Sequence, residues 1–213
     1  MTGKSQQTSP SAGIGGIRRG VVCLLLTGVV ATGVTAQTRG GTAQLYTQED
    51  LLFLQHMIAH HEQALELASL VSSRTRREEL VRFADYVDRA QSVEIDQMES
   101  LLRLAADRGM TIPSHDQHRD ESMPGLLDKA RMKALSSASG ALFERLWLEG
   151  MIVHHEGALT MGLAQQQRQF ASGRRPYGID VLVEEIVVVQ RAEITKMRGW
   201  LNEWGLSGSL KTR

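Results

Sequence analysis

The chain has 213 residues, 42% hydrophobic and 23% charged, with 24 basic and 24 acidic side chains and no formal net charge. That length supports one domain with a substantial core, and the balanced charge offers no basic field for a phosphate backbone, so nucleic acid is not an expected partner. A single cysteine, Cys23, excludes an intrachain disulfide, so a soft metal would have to be held by thioether and imidazole.

Residues 1–36 read as an export signal. Arg18 and Arg19 precede an apolar run that begins at Val21, and Val34-x-Ala36 is a small-residue cleavage site. An exported protein, periplasmic or extracellular, is therefore expected, with membrane attachment only through this segment if it stays uncleaved. Residues 37–46 are expected to form a disordered linker, 47–205 the folded domain, and 206–213 a tail.

Within the domain, Thr47-x-x-Asp50 predicts a capping box opening a helix that runs to about residue 72. Thr75-x-x-Glu78 predicts a second box and a helix ending before Gly109. Residues 110–138 carry Pro113, Pro124 and Gly125 and read as a crossover linker with one short helix around 126–135. A third helix is expected over about 139–171, ending at Ser172-Gly173, and a fourth over about 177–204, ending at Gly205. No stretch alternates with period two, so the fold class is all-α: a four-helix bundle of two helical hairpins, 47–109 and 139–205.

The hairpins repeat one another. Met57-Ile58-Ala59-His60-His61-Glu62-Gln63-Ala64-Leu65 returns as Met151-Ile152-Val153-His154-His155-Glu156-Gly157-Ala158-Leu159, 94 residues later. On a helix these histidines fall on the apolar face, below Met57 and Met151. His56 has Gly150 as its counterpart and is not a symmetric candidate. The return helices repeat Gln-x-x-Glu-Ile-x-x-Met as Gln91 to Met98 and as Gln190 to Met197, placing Glu94 and Glu193 on inward seams. A buried carboxylate needs a cation or strong donor, and facing helices can bring imidazole, carboxylate and thioether to one ion. Imidazole with thioether favours Cu(I), whereas imidazole with carboxylate also suits Cu(II) or zinc.

These residues resemble the bacterial family catalogued as domain of unknown function 305. The resemblance covers about residues 50–205 and rests on Asp50-x-x-Phe53-Leu54-x-x-Met57-Ile58-x-His60-His61, on Phe143-x-x-Leu146-Trp147-Leu148-x-x-Met151-Ile152-x-His154-His155-Glu156-Gly157-Ala158, and on both Gln-x-x-Glu-Ile-x-x-Met returns. It implies a ferritin-like bundle and, for some members, copper binding after export. The family's methionine two residues past the Ala-Leu pair is kept as Met161 but replaced by Leu67 in the first half, which implies that the second half is the better soft-metal site or that the two halves differ in affinity.

The residues together read as a non-enzymatic exported metal-binding protein that takes up copper, Cu(I) ahead of Cu(II), for tolerance, storage or delivery. The expected ligands are His60, His61, His154 and His155, with Met57, Met98, Met151, Met161 and Met197 as soft contributors and Glu94 and Glu193 as ligands or charge compensation. Glu62 and Glu156 are expected as imidazole acceptors or exposed charges, and Arg74, Arg76, Arg77 and Arg82 as a solvated helix end. Zinc or iron is the alternative ion. A dinuclear iron or manganese oxidase would need about four carboxylates, and the inward seams offer two. A metal-free bundle, with Gln91, Glu94 and the histidines satisfying one another and fixing the register of the hairpins, is the third reading.

Overall fold

The computed structural model describes residues 45–113 and 123–207, and all their regular structure is helical. The expected export signal, most of the 37–46 linker, and the linker histidines His115 and His118, which the sequence places in solvent, lie outside the described residues. In chain order the helices are α1 Gln48–Ser69, the single turn α2 Val71–Arg74, α3 Glu78–Asp107, α4 Lys129–Ser137, α5 Gly140–Ser172 and α6 Ile179–Glu203.

The helix starts follow their caps. Thr47 Oγ1 accepts the Asp50 amide at 3.1 Å while the Thr47 amide donates to Asp50 Oδ2 at 2.8 Å, the box the sequence predicts. The second predicted box does not form. Arg77 is the N-cap of α3, and the Thr75 hydroxyl instead donates to Glu144 Oε1 at 2.5 Å while accepting the Arg77 amide at 3.0 Å. The hydroxyl oxygen thus accepts from the Arg77 amide in place of the Glu78 amide, and its proton goes to a buried carboxylate reaching over from α5. The linker helix starts at Lys129, later than expected, because Asp128 accepts the Arg131 amide and fixes the cap there.

The helices associate as two antiparallel pairs, α1 with α3 and α5 with α6, that meet along α1 and α5; α4 packs on α5. Trp147 fastens this junction, its indole donating to the Leu67 carbonyl at 2.8 Å. The helix end expected to be solvated is partly structural. Arg74 donates to the Ser136 carbonyl, and Arg77 donates to Glu144 and lies over the Trp204 ring at 4.1 Å. Arg82, paired with Glu78, is exposed as expected.

The core is divided into two apolar clusters. One holds Leu67, Phe83, Phe143, Trp147, Met151 and Met197. The other holds Leu51, Phe53, Leu54, Met57, Met98, Ile179 and Ile186. Each long helix passes from one cluster to the other, and at the crossover it carries polar residues: His60 and His61 on α1, Gln91 and Glu94 on α3, His154 and His155 on α5, Gln190 and Glu193 on α6. These form a polar layer between the two clusters of the helical domain.

Candidate metal centre

All four histidines are fully buried. They fall into two kinds. His61 Nε2 donates to Glu94 Oε2 at 2.7 Å and His155 Nε2 to Glu193 Oε2 at 2.6 Å, one bond inside each helical pair. His60 and His154 instead meet across the junction, with ring centroids 3.9 Å apart and planes tilted by 37°. His60 Nε2 faces the Pro124 carbonyl at 3.0 Å and His154 Nε2 faces the His60 carbonyl at 2.9 Å. Carbonyl and carboxylate oxygens only accept, so every Nε2 carries a proton.

The consequence lies at the other nitrogen. Nδ1 of His60, His61, His154 and His155 is buried with no protein partner. Burial, then the neighbouring His61, pushes the His60 pKa down to about 3, with the Pro124 hydrogen bond opposing; burial and His60 hold His154 well below the usual histidine value. The inner two rings are therefore neutral near pH 7, and each Nδ1 presents a lone pair to the interior.

Sulfur flanks this layer. Met57 and Met98 lie in the cluster on one side and Met151 and Met197 in the cluster on the other, all fully buried. Met161 is half-buried and packs against the cluster of Met57 and Met98, not that of Met151 and Met197. Two turns past His154, α5 has crossed into the cluster that the first half's methionines occupy.

Glu94 and Glu193 each accept the Nε2 proton of an outer ring through one oxygen, the role the sequence offered to Glu62 and Glu156. Glu156 is exposed and paired with Arg198. Both layer glutamates also face Tyr86, whose hydroxyl pKa is raised by partial burial and then by Glu193 and Glu94. Among the described residues no three His, Cys, Asp or Glu side chains stand as a ready-made ligand set. The residues nevertheless fit a soft ion: open imidazole nitrogens, each with its other nitrogen anchored, and thioethers above and below.

Sequence reasoning missed the segment that covers the layer. Residues 123–128 cross α1 and α5 beside the inner rings. Pro124 receives the His60 bond, Gln63 donates to the Leu127 carbonyl at 2.9 Å and accepts its amide at 2.7 Å, and Gly125 lies against Gly157. The only hint in the sequence is the mismatch between repeats, His56 and Gln63 against Gly150 and Gly157.

Fold and site together define an all-helical protein whose core is split by a buried layer of paired histidines. The chain belongs to the family described as Domain of unknown function (DUF305), whose model matches residues 50–201. A solved DUF305 fragment from Deinococcus radiodurans is 32% identical, with 74% of this chain and 97% of that one aligned at a TM-score of 0.62. A DUF305 protein from Streptomyces coelicolor is 29% identical over 74% of this chain and 94% of that one, TM-score 0.61. CopM in its Cu(II)-bound form is 26% identical over 73% of this chain and 97% of that one, TM-score 0.59. No curated protein gives a significant match. Among the described residues no helix is long and apolar enough to cross a membrane.

Proposed function

We propose that this is an exported, non-enzymatic copper-binding protein, a ferritin-like four-helix bundle of two repeated hairpins that takes up copper for tolerance, storage or delivery. One observation carries the reading: four buried imidazoles with Nε2 engaged and Nδ1 without a partner. A buried polar atom left without a partner costs about 1–3 kcal/mol, and four in one layer ask for a shared ligand, which we take to be the cation. His60, His61, His154 and His155 would hold the ion, with sulfur from Met57, Met98, Met151 and Met197, and Met161 as a peripheral contributor. The thioethers favour Cu(I) over Cu(II), and over zinc or iron. The Cu(II)-bound form of CopM, 26% identical, supports copper as the metal. Export rests on the signal-like residues 1–36.

A dinuclear oxidase fits less well, because among the described residues Glu94 and Glu193 are the only carboxylates in the layer and each already accepts an imidazole proton. The test replaces His154 and His155 with Ala and titrates Cu(I) against a chelator, with circular dichroism to verify folding. The variant should lose most high-affinity binding. Unchanged stoichiometry and affinity, or no shift in wild-type melting temperature on adding copper, would return the layer to a metal-free structural role.

A further inference from the structure

Two side chains of the polar layer have no place in that donor set. Gln91 is 2% exposed and Gln190 1%, and among the described residues they alone have both amide atoms buried and unpartnered. Of the other buried glutamines, Gln165 donates to Asp50 at 2.6 Å and accepts from Arg168, and Gln55 donates to the Pro113 carbonyl at 2.5 Å, leaving only its Oε1 without a partner. Gln91 and Gln190 occupy matching positions, one turn ahead of Glu94 and Glu193, and Glu193 Oε1 is likewise buried and unpartnered. Two buried amides without partners weigh heavily against the fold unless something polar sits with them.

The chemistry of the amides says what that is. Each offers an NH2 donor and a carbonyl acceptor and no charge. A soft cation is matched by neither; a water molecule, which both donates and accepts, is matched by both. Cu(I) is satisfied by nitrogen and sulfur, whereas Cu(II) prefers more ligands and harder ones, water among them. Resting on the copper-binding reading, we propose that Gln91 and Gln190 are positioning residues that hold a water ligand of Cu(II). They let a site whose histidines and methionines favour the reduced ion also retain the oxidised one.

The experiment compares wild type with Q91L/Q190L and with each single variant, loading the full chain with Cu(I) or with Cu(II). Expected is a Cu(II) affinity lower by about 10- to 100-fold in the double variant, the usual cost of removing an outer partner, with Cu(I) affinity little changed. Pulsed EPR of the Cu(II) protein in D2O should show exchangeable deuterons at the ion in wild type and a much weaker signal in the variant. The metal-free variant should melt no lower than wild type, since leucine removes unsatisfied amides. Equal loss of both oxidation states, no loss of either, a wild-type spectrum without exchangeable deuterons, or a lower metal-free melting temperature in both single variants would overturn the proposal. Wild type that binds Cu(I) but not Cu(II) would overturn it and leave the copper reading standing, whereas wild type that binds neither ion removes both.

Discussion

His155 and Glu193 meet at 2.6 Å with the ring fully buried, and that bond decides which face of the imidazole is available. A carboxylate on Nε2–H fixes the ring's tautomer and orientation, which is what an outer partner of a metal ligand does. Glu193→Gln preserves the shape and leaves an amide oxygen able to accept the same proton, but removes the charge. Copper affinity should fall by about 10- to 100-fold with the amount bound per chain unchanged. Chelator competition together with elemental analysis reads both quantities. Loss of the ion outright would instead make Glu193 a direct ligand.

At the scale of elements, the covering segment explains why the repeats differ. Gln63 and Gly157 are equivalent positions, and both serve residues 123–128, one by bonding the Leu127 backbone and the other by having no side chain. A Cβ on Gly157 would lie 2.0 Å from the Pro124 oxygen and 2.6 Å from the Gly125 Cα, and one on Gly150 would lie 2.9 Å from the Leu127 side chain. Gly157→Ala therefore meets backbone that can yield only by lifting off, which also breaks the His60 to Pro124 bond. A loss of about 1–3 kcal/mol is expected in urea unfolding, with faster hydrogen exchange over 123–128. Unchanged stability and exchange would mean the segment is held elsewhere. The long helices were legible because a 3.6-residue period carries their inward faces, and so were the histidines and glutamates on them. The covering segment was not, since close backbone approach is a tertiary fact that leaves only unexplained glycines. Nor was the fate of Thr75, decided by Glu144 from a distant helix.

For the whole molecule, a polar layer between two apolar clusters ties stability to pH. The His60 pKa is about 3 in the folded protein against an ordinary 6.5, and His154 is lowered as well. Well above pH 6.5 these rings are neutral in both folded and unfolded chains, and their burial adds no pH dependence there. Below it the unfolded chain takes up protons that the folded one refuses, so stability falls as pH drops from about 6.5 toward about 3. Each ring contributes up to about 1.4 kcal/mol per pH unit in that window. The two inner rings face one another, with His61 and His155 beside them, so charging either is resisted by its neighbours as well as by burial. Urea midpoints of metal-free protein should therefore be level above pH 7 and decline through pH 6 to 4. In His60→Gln/His154→Gln the decline should be shallower whatever the absolute stability. A wild-type profile flat from pH 6.5 to 4, or an equal slope in the variant, would show that these imidazoles do not stay neutral in the fold, and with that the open Nδ1 lone pairs would be lost.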